Sequence, residues 1–182
     1  NLQYIIDLSK REDTLSFDEL LKNGKNKTYK KAEINTHEDY VMLIYSSGST
    51  GIPKGAPHTH WQVIRQGFNY QKSLNTTADD IYIAFLPLYH LYGFGALLMN
   101  VLSTQGKLIL MESYNKEESF KLMEKERCTV HHAAPTHYIL ELKDNKYKEY
   151  DLSSLRVGYI SGYVPPEELM EEIEEKLGIE VS

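Results

Sequence analysis

The residues with the clearest capacity for chemistry lie in the stretch 45–55, Tyr-Ser-Ser-Gly-Ser-Thr-Gly-Ile-Pro-Lys-Gly. Ser46, Ser47, Ser49 and Thr50 supply four rotatable hydroxyl donors. Gly48, Gly51 and Gly55 let backbone N–H groups approach a ligand closely. Successive N–H groups of this kind form a concave anion site. Lys54 adds a point charge, and Pro53 fixes one φ angle and limits collapse of the loop. The set suits a polyphosphate. The nucleotide-hydrolase pattern G-x-x-x-x-G-K-[ST] is absent, because Gly48 and Gly51 are three apart and Lys54 is followed by Gly55. A flexible Gly/Ser linker is the competing reading, but a linker would not directly follow an apolar run and carry Pro-Lys-Gly.

A second candidate is His90, in Leu86-Pro-Leu-Tyr-His-Leu-Tyr-Gly-Phe94. A lone histidine among apolar residues is more often a satisfied core residue than a catalytic one. His58 and His60 flank Thr59, with no cysteine or carboxylate beside them to complete a metal set, so they read as loop and capping histidines.

These residues need elements to hold them. The run 40–45 predicts a buried strand entering the first loop. Thr59 predicts an N-cap for a helix over 61–73, with Val63, Ile64, Gly67 and Phe68 as its packed side. From Asp80 the pattern alternates. Strands are expected over 81–86, 107–111, 128–132, 155–160 and from Ile179. Helices are expected over 92–102, 116–126, 136–143 and 166–177, the last closed by Gly178. Before the loop, residues 2–6 suggest a strand, and Ser16 caps a short helix. This alternation predicts an α/β fold with a mostly parallel sheet and helices on both faces. Ligands in such sheets bind beyond the carboxyl ends of the strands, which points to the loops 45–55, 87–92, 133–136 and 161–166.

Composition narrows the classes. With 182 residues, 41 % of them hydrophobic, the chain can bury a sizeable core. Twenty basic and 26 acidic side chains give a net charge of −6, without a basic stripe, so no nucleic-acid partner is expected. The single cysteine, Cys128, rules out an internal disulfide and suits a reducing compartment. Residues 81–106 carry no Asp, Glu, Lys or Arg, yet Pro87, His90, Gly93, Gly95 and Asn100 interrupt them. A strand, a turn and a helix are expected there, and no transmembrane segment.

The loop 45–55 resembles the signature loop of the AMP-forming adenylating enzymes, a superfamily that includes acyl-CoA synthetases, 4-coumarate–CoA ligases and beetle luciferases. The stretch around His90 resembles their Pro-x-[Phe/Tyr]-His block. The stretch 150–162, with Tyr163-Val-Pro-Pro166, resembles their Asp-Leu-Ser-Ser-Leu-Arg block leading into Ser-Gly-Ala-Ala-Pro-Leu. The order and spacing of the blocks agree with the family over essentially the whole chain. Tyr163 and Val164 stand where the family has small residues, and Pro166 where it has leucine; Tyr163 either narrows a pocket or turns outward.

The resemblance implies ATP-dependent activation of a carboxylic acid to an acyl-adenylate, with release of pyrophosphate, then transfer to coenzyme A. It implies ATP, Mg²⁺ and coenzyme A as cofactors and a small-molecule acid as substrate. Ser46, Ser47, Gly48, Ser49, Thr50, Gly51 and Lys54 would hold the β- and γ-phosphates. His90 would lie near the α-phosphate and the carboxylate, Tyr92 would line the acid pocket, and Gly162, Tyr163, Val164 and Pro165 would flank the adenine. None of the residues is expected to bind the metal. The family's Tyr-Gly-x-Thr-Glu block and C-terminal catalytic-lysine domain do not occur in the sequence. Residues 1–182 are therefore expected to be a partial AMP-binding (adenylation) domain, inactive alone, from an intracellular enzyme, cytoplasmic or peroxisomal. A luciferase-like oxygenase sharing the adenylation step and a degenerate nucleotide-binding fragment remain the alternatives.

Overall fold

The computed structural model describes residues 6–8, 14–25, 27–46 and 51–182. Ser47, Gly48, Ser49 and Thr50 lie outside the described residues, as does nearly all of the strand expected over 2–6. The chain divides into two units, Asn1–Ile34 and Asn35–Ser182. In the first, strand β1 (Ile6–Asp7) pairs in parallel with β2 (Leu15–Ser16), and helix α1 (Phe17–Gly24) follows with Ser16 at its N-cap position.

The second unit begins with a hairpin. Strand β3 (Tyr40–Ser46) pairs antiparallel with β4 (Lys54–Thr59), in a register that sets Tyr45 opposite Gly55 and Ser46 opposite Lys54. This corrects two expectations. The run 40–45 is a strand but not a buried one: Val41, Leu43 and Tyr45 are exposed, because among the described residues it pairs only with β4. The loop it feeds therefore closes an antiparallel hairpin and does not follow a strand of the parallel sheet. Lys54 and Gly55 start the return strand.

Helix α2 (His60–Ser73) starts at Thr59 through a reciprocal cap. The Gln62 N–H donates to Thr59 Oγ1 at 3.3 Å, and the Thr59 N–H donates to Gln62 Oε1 at 2.9 Å, an arrangement contributing about 1 kcal/mol. Val63 and Gly67 form the buried side as expected, but Ile64 and Phe68 are exposed. They lie one residue from the buried positions, about 100° further round the helix, turned away from Met99, which Gly67 meets.

Five parallel strands follow: β5 (Ile81–Ala84), β6 (Lys107–Leu110), β7 (Val130–Ala133), β8 (Val157–Ile160) and β9 (Glu180–Val181). Their spatial order is β6-β5-β7-β8-β9. The chain steps outward from β5 to β6, then returns past β5 to β7 and continues the other way. Side-chain alternation explains how both faces are filled. Tyr82 and Ala84 of β5 meet Leu97 and Val101 on one face. Ile83 meets Phe120 and Met123 of α4 (Lys116–Glu126), Tyr138 and Leu142 of α5 (Pro135–Leu142) and Ile173 of α6 (Glu167–Leu177) on the other. The β5-to-β6 connection covers one face and the later connections the opposite face, as right-handed crossovers require once the chain reverses direction. The reversal makes the β5–β7 boundary a topological switch point, where open sheets bind ligands. The β5–β7 ladder pairs only Tyr82 with Val130 and Ile83 with His131, whereas β7 and β8 pair over four positions.

At the amino ends of the strands, the Arg156 guanidinium grips Asp80 with both arms, Nε to Oδ1 at 2.9 Å and a second nitrogen to Oδ2 at 2.6 Å. Thr129 Oγ1 and the Thr77 N–H also donate to this carboxylate. Burial pushes the Asp80 carboxyl up, but these donors together hold it below its ordinary value. The clamp joins the residues just before β5, β7 and β8, so it fixes the strands relative to one another.

Candidate active site

The segment after β5 is shaped by one close approach. After Leu86 the chain turns, with the His90 N–H donating to Pro87 O at 3.0 Å and the Phe94 N–H to His90 O at 2.9 Å. The helix that begins here is a π-helix over Tyr92–Leu98, running on into α3 (Met99–Thr104); the Met99 N–H reaches back five residues to Phe94 O. The buried helix expected over 92–102 is present, with its first part wider than an α-helix. Wide turns of this kind are uncommon and concentrate at functional sites. Gly93 permits the geometry: a Cβ there would stand 2.2 Å from Pro87 O.

His90 is exposed, and its Nδ1 accepts the Tyr92 N–H at 3.1 Å. With Nδ1 accepting, Nε2 is the ring nitrogen left to donate. Tyr92 points inward and is buried. Its hydroxyl lies 2.8 Å from Tyr159 O and 3.2 Å from Ala133 O, the two carbonyls sharing its proton. The side chain thus ties the His90 turn to the carboxyl ends of β7 and β8. Burial, reinforced by the neighbouring tyrosines, pushes the Tyr92 phenol far up, so it acts as a neutral donor.

The turn after β8 supplies the facing wall. Gly162 has φ +119°, a conformation open to glycine and strained for other residues. The turn brings Ser161 and Gly162 to a cavity of about 180 Å³ that His90 and Tyr92 also line, with Gln66 and Tyr70 of α2 on the remaining side. His90, Tyr92 and Gly162, read from two separate motif blocks, therefore meet at one cavity beyond the strand ends. Tyr163 turns outward: it is 52 % exposed, Val164 is 91 % exposed, and neither lines the cavity. Pro165 is half-buried. On the hairpin, Ser46 and Lys54 are exposed, and Gly51 takes φ +80° in the turn; none of these lines the cavity.

Gln66, Tyr70 and Tyr159 are the residues that sequence reasoning missed. Gln66 and Tyr70 are one helical turn apart, a spacing that sets both on one face of α2 and could have flagged them. Tyr159 sits mid-strand without a local signal. The Tyr159 phenol is pushed up to about 12 by burial and by its hydrogen bond to Tyr70. Among the described residues, no group of three or more His, Cys, Asp or Glu side chains could hold a metal ion. No helix among them is long and apolar enough to cross a membrane.

The chain belongs to the AMP-binding enzyme family, whose family model matches residues 2–182. It is 35 % identical over 150 residues to 4-coumarate-CoA ligase 1 of Narcissus pseudonarcissus, a match covering 79 % of this chain and 27 % of that protein. It is 26 % identical over 176 residues to a long-chain-fatty-acid–CoA ligase of Bacillus subtilis (strain 168), covering 95 % and 31 %. Among solved structures, the anthranilate CoA ligase AuaEII in complex with anthranoyl-AMP superposes with a TM-score of 0.81 at 25 % identity, covering 97 % of this chain and 34 % of that one. The chain spans about a quarter to a third of the length of the curated relatives it matches.

Proposed function

We propose that the protein containing this chain activates a carboxylic acid with ATP and passes the acyl group to coenzyme A. A carboxylate oxygen attacks the α-phosphorus in line. The bond from that phosphorus to the bridging oxygen breaks, and pyrophosphate leaves with the electron pair. The thiol of coenzyme A then displaces AMP from the acyl-adenylate. The substrate is the nucleophile, so the protein need only position reactants and stabilise negative charge. The observation that carries this reading is the cavity at the strand ends where His90, Tyr92 and Gly162 converge.

In this scheme the hairpin turn holds the β- and γ-phosphates through Ser46, Ser47, Gly48, Ser49, Thr50, Gly51 and Lys54. His90 Nε2 donates to the α-phosphate or to the entering carboxylate. Tyr92 lines the acid pocket, and Gly162, Tyr163, Val164 and Pro165 flank the adenine. The outward turn of Tyr163 leaves the cavity open. The ligase is preferred to a luciferase-like oxygenase because the named relatives above are CoA ligases. The test is pyrophosphate release by the full-length protein with a panel of carboxylic acids, followed by thioester formation with coenzyme A. Release with at least one acid is expected; no release with any acid refutes the reading.

A further inference from the structure

The ladder between β5 and β7 ends at the pair Ile83–His131, while β7 continues against β8 through His132 and Ala133. His131 therefore stands at the fork where the two strands part to open the crevice beyond the strand ends. Helix α5 holds this residue twice. The Tyr138 hydroxyl donates to His131 O at 2.9 Å, with the two rings 4.8 Å apart. One turn on, Glu141 Oε2 lies 2.9 Å from His131 Nε2. The spacing of three sets Tyr138 and Glu141 on one face of α5. From α4, the Ser119 hydroxyl donates to Glu141 Oε1 at 3.5 Å, a long contact. Ser119, His131 and Glu141 are all fully buried, beside the layer in which Phe120, Met123, Tyr138 and Leu142 pack. A buried polar pair of this kind adds little net stability, because apolar side chains of similar volume often do as well or better. His131 Nδ1 has no partner among the described residues, which adds to the cost. A costly pair at the fork is better explained by what it places than by what it stabilises.

We propose that Glu141 is a positioning residue for the reaction: through His131 it fixes the carboxyl end of β7 at the fork. The proposal rests on the reading above that the crevice carries out adenylation. Two residues beyond His131, Ala133 O accepts from the Tyr92 hydroxyl at 3.2 Å, and the Tyr92 N–H donates to His90 Nδ1. Past the fork, β7 pairs with β8 alone among the described residues. A shift of β7 is therefore passed to Ala133, to Tyr92 and on to the turn that carries His90. Glu141 does not line the cavity there; it acts only through His131 and the strand.

The test compares three variants of the full-length protein: Glu141→Gln, Glu141→Leu, and His131→Leu combined with Glu141→Leu. A glutamine amide donates or accepts, so it keeps the bond to His131 Nε2 in either ring tautomer. Leucine removes the bond, and the double variant also removes the histidine that Glu141→Leu leaves unpaired. Thermal unfolding, single-turnover acyl-adenylate formation, ATP affinity and amide hydrogen exchange of β7 are measured for each. Glu141→Gln should match the natural protein within about twofold in rate and exchange. In both leucine variants adenylation should slow by about tenfold, a fraction of the loss that a misplacement of about 1 Å causes, with ATP affinity kept within about twofold. Exchange of β7 should quicken by about tenfold in the same two variants. The double variant should be at least as stable as the natural protein. A double variant that keeps the natural rate and exchange, or one that is less stable than the natural protein, overturns the proposal, and so does Glu141→Gln as slow as Glu141→Leu. A natural protein that forms no adenylate with any acid overturns the ligase reading alone, whereas unchanged exchange of β7 in the leucine variants overturns the positioning role whichever reaction is catalysed.

Discussion

Replacing Gly93 with alanine drives a methyl group into the turn that carries His90. The added Cβ would stand 2.2 Å from Pro87 O and 2.8 Å from Pro87 C. Restoring ordinary contact needs a displacement of more than about 1 Å. Pro87 O also accepts the His90 N–H, so whichever partner yields, the imidazole moves relative to the β8 turn. A misplacement of about 1 Å at a reacting group costs on the order of 100-fold in rate. Gly95, two residues along the same π-helix, supplies the control: a Cβ there meets only side-chain atoms, the nearest at 3.5 Å. Steady-state pyrophosphate release by the full-length protein should therefore fall about 100-fold in Gly93→Ala and stay within about threefold in Gly95→Ala. Thermal unfolding of both variants shows whether the lost rate reflects a moved turn or an unfolded chain. A Gly93→Ala enzyme with near-normal rate would show that the turn does not position the chemistry.

Three further outcomes follow from the geometry. Asp80→Asn removes the charge and one of the two oxygens that accept from Arg156, and should cost about 2 kcal/mol in urea unfolding; that is below the range for fully buried pairs, because the Arg156 side chain is 39 % exposed and reaches water. The Asp80 carboxyl lies below its ordinary value when folded, so its contribution is present above pH 4 and is lost as pH falls below it. His132 is fully buried with no hydrogen-bond partner among the described residues, and burial, with His131 beside it, lowers its pKa to about 3. The unfolded chain binds a proton below about pH 6.5 that the folded one refuses, so stability should fall by about 1.4 kcal/mol per pH unit from 6 towards 3; in His132→Phe that slope should shrink, and an unchanged pH profile would contradict the assignment. Lys54→Ala should lower kcat/KM for ATP by at least about tenfold, as loss of a charged contact to phosphate implies; an unchanged ATP dependence would remove Lys54 from the site.

The legible parts of this fold are those whose signals are local. Helix α4 runs over the residues its periodicity marks, because Phe120 and Met123 recur on one face and the Asn115 side chain caps its start by accepting the Glu118 N–H. Helix α6 stops where Gly178 takes φ +68°. Strand β3 was misjudged, because an unbroken apolar run matches the pattern of a strand buried on both faces, and burial depends on pairing that the run itself does not encode. The π-helix was hidden for the same reason: it depends on Gly93 meeting a carbonyl six residues back. The nearness of His90, Tyr92 and Gly162 to one cavity was readable because each sits in a motif block after a strand. Tyr159 was not, since its role depends on α2, far away in sequence, placing Tyr70 against it.

Single-turnover acyl-adenylate formation in His90→Ala, set beside its equilibrium dissociation constant for ATP, tests the central claim most directly. His90 Nε2 is assigned to charge that develops at the α-phosphorus. The adenylation rate of the full-length protein should therefore fall by about 100-fold, while ATP affinity stays within about threefold. An unchanged rate, or a loss confined to ATP affinity, would contradict the account.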